Sequence, residues 1–134
     1  MTPAPACPIE MPLSGSFPRG VAPETGRPCV QLTRGEGFAY PLYFFIPSIT
    51  GDGKYLIYHH AARGELQLFR LHLATGESHQ LTHAMCPDTQ WRPWCVDSGR
   101  GVLDHRSVLN VARNEVVYFD GNQVRAIVLR LLGG

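Results

Sequence analysis

The chain has 134 residues, a formal net charge of +1 at pH 7, and a composition that is 44% hydrophobic and 10% aromatic. This length fits one domain, and the hydrophobic content is that of an ordered globular chain, which excludes disorder as its main state. The near-neutral charge favours no nucleic-acid partner, and no apolar run approaches the roughly 18 residues that would indicate a membrane span.

Residues 1–23 are predicted to form an N-terminal arm, because they are rich in Pro, Gly, Ser and Ala and show little periodicity. No basic segment followed by an apolar core occurs there, so the sequence predicts no signal peptide and a cytoplasmic location. In a reducing cytoplasm the four cysteines, at positions 7, 29, 86 and 95, are expected to be free thiols.

A short strand is predicted at residues 30–33. Its Gln-Leu-Thr sequence at 31–33 recurs at 80–82, a spacing of 49 residues. Recurrence at such an interval is typical of proteins that are built from repeated supersecondary units. The two copies are therefore expected to occupy equivalent positions in neighbouring units.

The next predicted strand covers residues 40–49. Its regular part is confined to residues 42–46, because Pro41 and Pro47 cannot donate hydrogen bonds to a sheet. The strand leads into a Gly-Asp-Gly turn at 51–53, where glycines supply the positive φ angles that tight turns need.

Residues 54–82 give the most specific pattern in the chain, an antiparallel meander of three strands. The strands are predicted at 54–60, 65–73 and 78–82, with a hairpin connection at 61–64. One face of the hairpin is expected to carry Leu56, Tyr58, Leu66 and Leu68. The other face is expected to carry Tyr55, Ile57 and His59.

Residues 83–104 are predicted to be an irregular excursion that contains both tryptophans, Trp91 and Trp94. Long connections of this kind in compact domains are either functional or poorly ordered. Three further strands are predicted at 105–111, 114–119 and 123–131. No fourth strand follows them, so we expect an incomplete sheet whose open edge allows self-association.

Residue types that serve in catalysis and metal binding are present without the spacing that such sites need. Cys86 and Cys95 lack zinc-type spacing, and the six histidines are expected to lie on surfaces or in loops. Asp104, His105 and Ser107 supply the residue types of a nucleophilic triad, but no G-x-S-x-G elbow accompanies them. The carboxylates are scattered, so no glycosidase pair is predicted.

Several features of the central stretch together resemble a known repeat. They are the Asp-Gly-Lys turn at 52–54, the aromatic strand and hairpin that follow, and the Thr-Gly-Glu and Gln-Leu-Thr sequences at 75–77 and 80–82. This pattern resembles the PD40 (TolB-like) β-propeller repeat. Within that superfamily, residues 23–129 are similar to oligogalacturonate lyases, also through the Pro-Glu-Thr-Gly sequence at 23–26.

The resemblance implies an all-β fold made of antiparallel β-propeller blades. Residues 24–134 would form a partial propeller, with an outer strand at 30–33, one blade at 40–82 and an incomplete blade at 105–132. A propeller takes four to eight blades of about 40–45 residues each. The chain is therefore expected to be the N-terminal portion of a longer protein, with about two blades.

The resemblance also implies an activity, the β-elimination of short galacturonate chains in cytoplasmic pectin degradation. In this family a base removes the C5 proton, while a divalent metal, manganese, and cationic side chains hold the carboxylate. The catalytic histidine and the metal ligands of the family lie in later blades, and no position of this chain matches them. The catalytic residues are thus unknown, and this lyase-like chain alone is expected to be inactive and to bind no metal.

Three cations are candidates for substrate binding, since they fall in or beside the long excursion and the strand after it: Arg92, His105 and Arg106. Cations there would suit oligogalacturonate or another anionic glycan. Alternatively, the loop arginines cap carbonyl groups and stack on the tryptophans. An alternative function is a non-catalytic PD40 module that binds a protein or glycan partner.

Overall fold

The computed structural model describes residues 13–85, 98–102 and 106–129. These residues form strands and the connections between the strands, and no α-helix occurs among them. The prediction of an all-β chain with antiparallel sheets is therefore confirmed. The strands in chain order are β1 (Arg19–Val21), β2 (Pro28–Val30), β3 (Phe38–Pro41), β4 (Tyr55–Ala62), β5 (Gly64–His72), β6 (Ser78–Gln80), β7 (Ser98–Gly101), β8 (Val108–Asn110), β9 (Glu115–Asp120) and β10 (Gln123–Val128).

The largest sheet, which we call the main sheet, contains β3, β4, β5 and β6 in that spatial order. Each of these strands is antiparallel to the next, so the four form a meander. β6 pairs with residues 69–71 of β5, and β7 pairs in parallel with residues 64–66 of the same strand. β6 and β7 therefore share one edge of β5.

The β4–β5 hairpin is closed by Arg63 and Gly64. Both residues have positive φ angles, 54° and 77°, which is the conformation of a turn whose twist matches that of the adjoining strands. The hairpin predicted at 61–64 is confirmed. The strands extend closer to the turn than predicted, because Ala62 already pairs with Glu65.

The strand predicted at 40–49, with a regular part at 42–46, is wrong, since β3 ends at Pro41. Proline cannot donate to a ladder, and here it terminates the strand at the edge of the main sheet. The next backbone N–H, that of Leu42, donates to the Ser48 hydroxyl at 3.0 Å instead of to a strand. The chain then turns, with the Ile46 N–H donating to the Tyr43 carbonyl.

The N-terminal hairpin pairs β1 with β2 in antiparallel fashion. Gly26, with a φ of 71°, allows its turn, and the Gly26 N–H donates to the Ala22 carbonyl at 2.8 Å. Two predictions are corrected by this hairpin. The arm predicted at 1–23 contains β1, and the strand predicted at 30–33 lies earlier, as β2.

The turn between β5 and β6 repeats the hydrogen bonds of the N-terminal hairpin. The Gly76 N–H donates to the His72 carbonyl at 2.8 Å, the distance found at Gly26. After each turn a glutamine side chain donates to the carbonyl two residues further on, at 2.9 Å for Gln31 and 2.7 Å for Gln80. The two hairpins are offset by 50 residues, because Val30 pairs with Arg19 as Gln80 pairs with Phe69, whereas the Gln-Leu-Thr copies are offset by 49. The copies are therefore one residue out of register, and the prediction that they occupy equivalent positions is wrong.

The second sheet is the meander β8–β9–β10. Its strands match those predicted at 105–111, 114–119 and 123–131 in order and type. The first and third are shorter than predicted where the structure describes them, and the second is shifted by one residue. The β9–β10 register places Asp120 opposite Gln123, so a two-residue connection joins these strands. Residues 130–132 of the blade predicted at 105–132 lie outside the described residues.

β7 lies inside the stretch at 83–104, which the sequence predicts to be irregular. Its Ser-Gly-Arg-Gly sequence has no apolar alternation, so no strand pattern could reveal it. Gly101 is required there, because an added Cβ would overlap the Leu66 carbonyl oxygen. The strand therefore forms through close backbone approach to β5, which is a tertiary effect.

The register of β4 and β5 assigns the residues of the hairpin to two faces. Leu68 lies opposite His59, and residues directly opposite in an antiparallel pair share a face. The prediction that Leu66 and Leu68 share a face with Leu56 and Tyr58 is therefore wrong. Alternation determines which residues of one strand share a face. Only the turn determines which residues of the two strands lie opposite one another.

Each face of the main sheet is packed against a different part of the chain. The face that carries Leu68 packs against the second sheet, and the residues buried there are Leu42, Ile57, Ala61, Leu66, Leu68, Ala84, Val102, Leu109, Val116, Tyr118 and Leu129. The other face packs against the N-terminal segment, and the residues buried there are Phe17, Tyr58, Leu71 and Leu73. The main sheet is thus the middle layer of the described structure.

Leu68→Ala is expected to lower the free energy of unfolding by about 2–5 kcal/mol, because Leu68 is fully buried between the two sheets. Val124→Ala is the control, since Val124 is 61% exposed on β10, and its cost is expected to stay within about 0.5 kcal/mol. Urea denaturation of both variants measures these values. A cost for Leu68→Ala below about 1 kcal/mol would contradict the observed register.

The turn before β4 is closed by the side chains of Thr50 and Asp52. The Thr50 hydroxyl donates to Asp52 Oδ1 at 2.7 Å, and the Lys54 N–H donates to the same oxygen at 3.0 Å. These hydrogen bonds, that of Thr50 foremost, hold the pKa of Asp52 below its ordinary value, although partial burial opposes them. The ionised carboxylate therefore favours the folded state.

Asp52→Asn is expected to be less stable than the unchanged chain at pH 7. Because the folded-state pKa is the lower one, the stabilisation is complete above the unfolded pKa of about 3.9. This stabilisation is lost as the pH falls through the folded-state pKa. The free energies of unfolding of the two proteins should therefore become equal at acidic pH. Urea denaturation at a series of pH values tests this, and a difference that does not change with pH would contradict it.

Candidate functional site

The main sheet and the second sheet are aligned, so that corresponding ends lie together. Gly51 and Val111 lie in the first connection of each sheet, and a Cβ added to Gly51 would be 3.3 Å from the Val111 carbonyl oxygen. The opposite end of the main sheet carries the Arg63-Gly64 turn. We call this the turn end.

Three parts of the chain meet at the turn end. They are the Arg63-Gly64 turn, the connection at 31–37 and strand β7 beside residues 64–66. The start of β8, which Arg106 precedes, points toward this end, because Asn110 at its finish pairs with Glu115 next to the opposite turn. Residues that are distant in sequence are thus collected on one edge of the two sheets.

Glu36 fixes the connection at 31–37 to the hairpin. His60 Nε2 donates to the Glu36 carbonyl oxygen at 2.6 Å, and because a carbonyl can only accept, Nε2 carries the ring proton. Arg63 Nε donates to the Glu36 carboxylate at 3.1 Å. Gly37 follows directly and approaches the Ala61 carbonyl oxygen so closely that a Cβ would overlap it.

Two cavities of about 200 and 260 Å³ lie at the turn end, on the face of the main sheet that carries Tyr58, and His60 lines both. We call this pair of cavities the His60 trough. One wall is the connection at 31–37, and the floor contains Ala39, Ala62, Gln67, Phe69 and Gln80.

The trough exists because the N-terminal segment covers only half of this face. Phe17 packs over Tyr58 and Leu71, in the half of the face away from the turn end. The half near the turn carries His60 and Gln67, and the polar groups of Gln67 form hydrogen bonds within the protein. The face therefore changes along the strands from an apolar part to a polar part.

The floor of the trough is held rigid by hydrogen bonds. Gln67 is buried, and its Nε2 donates to the Ala84 carbonyl at 2.7 Å. Its Oε1 accepts from the Thr82 hydroxyl at 2.7 Å and from the Ala84 N–H at 3.1 Å. Beside it the rings of His60 and Phe69 pack edge to face, with centroids 5.3 Å apart. These contacts fix the shape of the floor before any ligand arrives.

The turn end is rich in exposed arginines. Arg63 is paired with Glu36. The others form no ion pair or side-chain hydrogen bond with any described residue, and they are Arg34, Arg100 and Arg106. Guanidinium groups of this kind bind carboxylates in a bidentate manner. The turn end can therefore hold an anionic group.

Of the three predicted substrate-binding residues, the structure describes one. Arg106 is exposed at the turn end, whereas Arg92 and His105 lie outside the described residues. The sequence analysis did not identify Arg34 or His60. The glycines on either side of Glu36, at 35 and 37, were a usable signal, because glycines in such a connection often mark close backbone approach.

Other candidate residues are placed away from any accessible chemistry. His59 is buried and stacked on Tyr40 with centroids 5.0 Å apart, so the prediction of surface or loop histidines is wrong for this residue. Ser107 is fully buried, and no substrate can reach its hydroxyl. Cys29 is a free, exposed thiol, and the other three cysteines lie outside the described residues.

The described residues do not fit the manganese ion that the family resemblance implies. Among residues 13–85, 98–102 and 106–129, no group of three or more His, Cys, Asp or Glu side chains is placed to hold a metal ion. The same part of the chain contains no helix that is long and apolar enough to cross a membrane.

Comparison with protein-family models, with curated proteins and with solved structures finds no match to this chain.

Gly37→Ala is expected to destabilise the chain more than Gly35→Ala. Both glycines have positive φ angles, 79° and 114°, so both substitutions carry backbone strain. Only at Gly37 does the added Cβ overlap a backbone atom, whereas nothing lies within 4 Å of it at Gly35. The difference in the free energy of unfolding is expected to be on the order of 1–3 kcal/mol. Equal costs in urea denaturation would contradict the close packing of Gly37 on Ala61.

Proposed function

We propose that the chain forms adjacent blades of a PD40-type β-propeller and that its turn end binds an anionic glycan, a short galacturonate chain. The order β3-β4-β5-β6 supports this proposal, because a propeller blade is a four-stranded antiparallel meander. The second sheet repeats the first three strands of that order and packs face to face on the main sheet.

The N-terminal hairpin gives the proposal independent support. Its turn has the same hydrogen bonds as the β5–β6 turn, in which the Gly76 N–H donates to the His72 carbonyl as the Gly26 N–H donates to the Ala22 carbonyl. β1 and β2 would thus be the last two strands of a preceding blade. They lie against the face of the main sheet that is not covered by the second sheet, where a preceding blade belongs.

The proposal that the turn end binds an anionic glycan rests on the set of exposed arginines there. Arg34, Arg100 and Arg106 come from three separate parts of the chain, since Arg100 lies in β7 and the other two lie in connections. They are not neutralised by any described acidic side chain. A galacturonate chain has one carboxylate on each sugar unit, so separate guanidinium groups suit it better than one strong cluster. The arginines from different connections would bind successive units.

The proposal assigns this chain binding and scaffolding, not the elimination step. β-Elimination at a galacturonate unit needs a base for the C5 proton and stabilisation of the charge that develops on the carboxylate. Guanidinium groups can contribute to the second requirement. No described residue is assigned the role of the base, and no step is derived through manganese, because the described side chains do not form a site for it.

A second candidate function, a non-catalytic module that binds a protein partner, is favoured by an exposed aromatic turn. Phe44 and Phe45 are 75% and 76% exposed, their ring centroids lie 4.0 Å apart, and Tyr43 packs beside both. Exposed aromatic clusters are common at sites of protein association. Both functions use the same propeller scaffold.

Binding of trigalacturonate by the unchanged chain and by Arg106→Gln tests the proposal. Removing a guanidinium that contacts a carboxylate is expected to weaken binding severalfold at low salt, and the loss should shrink as salt screens the attraction. Arg113→Gln is the matched control, because Arg113 is an exposed arginine beside the opposite turn of the second sheet.

Isothermal titration calorimetry at two salt concentrations gives the affinities, and the neutral galactose trisaccharide shows how much binding needs the carboxylates. Equal affinity for the charged and neutral trisaccharides, or equal losses in Arg106→Gln and Arg113→Gln, would contradict the proposal. Binding of neither sugar would contradict the proposal and leave the alternative function, a module that binds a protein partner.

A further inference from the structure

We infer that the aromatic turn at 43–45 is a docking site for an extended, proline-rich segment, and that the segment which occupies it is residues 1–12 of the same chain. The aromatic rings lie in the connection between β3 and β4 and not on a face of a sheet. The site is therefore compatible with neighbouring blades packed on both faces of the main sheet. Docking there is independent of glycan binding at the turn end.

The aromatic turn presents two phenylalanine rings on a rigid support. Leu42 and Ile46, on either side of the turn, pack into the core between the two sheets. The Ile46 N–H donates to the Tyr43 carbonyl at 2.7 Å, which closes the loop. Phe44 and Phe45 nevertheless remain three-quarters exposed. An apolar surface that is held in contact with water gains free energy when another apolar group covers it.

The arrangement of the two rings suits proline side chains. The ring centroids of Phe44 and Phe45 are 4.0 Å apart and their planes are inclined by 42°, so the rings diverge and leave a cleft. Aromatic clefts recognise prolines in the polyproline II conformation, because the proline ring is apolar and the helix is ordered before it binds. A proline-rich segment is thus the ligand that this surface fits.

Residues 1–12 have the composition of such a ligand. They lie outside the described residues, and their sequence is Met-Thr-Pro-Ala-Pro-Ala-Cys-Pro-Ile-Glu-Met-Pro, with Glu10 as the one charged side chain. Proline has a fixed φ angle, and the residue before a proline is restricted to extended conformations. Pro5 and Pro8 have P-x-x-P spacing, which places both rings on one side of a helix with three residues per turn.

The described chain determines where this segment starts. The Ser14 N–H donates to the Leu73 carbonyl at 2.8 Å, and the Leu73 N–H donates to the Lys54 carbonyl at 2.9 Å. Leu13 packs against the buried cluster on the same face of the main sheet. Residues 1–12 therefore begin beside the end of the main sheet at which β4 starts, opposite the turn end.

The length of the segment matches its distance from the aromatic turn. The Ile57 N–H donates to the Ser48 carbonyl just after the turn, so the turn lies three residues along β4 and beyond its edge. Three residues and two to three strand spacings separate the two places, a distance on the order of 15–25 Å. Pro8 and Pro5 precede Leu13 by five and eight residues, which span about 16–25 Å in polyproline II. The P-x-x-P sequence therefore reaches the turn.

NOE measurements by NMR on the isotopically labelled 134-residue chain test the contact directly. The ring protons of Pro5 and Pro8 are expected to show NOEs to the rings of Phe44 and Phe45. In Pro5→Ala/Pro8→Ala these contacts should be lost and the ring signals of residues 44 and 45 should shift. Pro3→Ala is the matched control, because it removes a proline outside the P-x-x-P sequence and should retain the NOEs.

A synthetic peptide of residues 1–12 tests whether the chain's own segment occupies the turn. The peptide is expected to bind Pro5→Ala/Pro8→Ala about tenfold more tightly than the unchanged chain, because the tethered segment competes at an effective concentration on the order of millimolar. Adding Phe44→Ser to that variant should abolish peptide binding. Adding Val124→Ser, at another exposed apolar residue, should leave it unchanged, and melting temperatures show that both variants are folded.

Each contrary outcome identifies a different error. Equal affinity of the peptide for the unchanged chain and for Pro5→Ala/Pro8→Ala would overturn occupation by the chain's own segment. NOEs that appear only between differently labelled copies would replace it with the segment of a second copy. Equal binding of a peptide with alanine in place of its prolines would overturn the recognition of proline. Absence of both the NOEs and peptide binding would overturn the docking site itself.

Discussion

The structure depends on the register of the β4–β5 hairpin, which the Arg63-Gly64 turn sets. With positive φ at both positions, the turn leaves no spare residue between the strands and pairs Ala62 with Glu65. Every later pairing follows from that first one, because side chains alternate with a period of two. Leu66 and Leu68 therefore face the second sheet, while Phe69 and Leu71 face the N-terminal segment.

The same register divides one face of the main sheet into two parts with different roles. Away from the turn this face carries Leu71 and Tyr58, which are buried under Phe17. Near the turn it carries His60 and Gln67, and the N-terminal segment does not extend over them in the described residues. An apolar face needs a cover to remove it from water, whereas polar side chains can stay in contact with water or form hydrogen bonds within the protein, as Gln67 does. The His60 trough is a result of this division.

The turn end combines backbone constraints with electrostatics. Glu36 is held by a backbone contact to His60 and a side-chain contact to Arg63, so one residue both fixes the connection and neutralises the nearest arginine. Arg34, two residues earlier, is exposed and forms no ion pair with any described residue. The close approach of Gly37 to the main sheet holds the segment that carries Arg34 beside the trough. A structural contact thus determines where this charge lies.

The sequence by itself determined the all-β class, the order of the strands in both meanders and the position of the central hairpin. These follow from local alternation and from turn residues such as Gly64 and Gly76, whose effect does not depend on the rest of the chain. The repeated Gln-Leu-Thr sequence follows a hairpin that recurs, but its two copies lie one residue out of register with that hairpin. Arg106 could be selected as an exposed cation because it directly precedes a recognisable strand.

Only the tertiary structure decided the facing of Leu68, the existence of β7 and the assembly of the turn end. Strand alternation cannot align two strands with each other, and a Ser-Gly-Arg-Gly strand has no pattern to detect, because its stability comes from close backbone approach to β5. Arg34 and His60 are 26 positions apart in the sequence and line one cavity because Glu36 connects their segments. Long-range contacts of this kind depend on the packing of the whole chain, which local preferences do not encode.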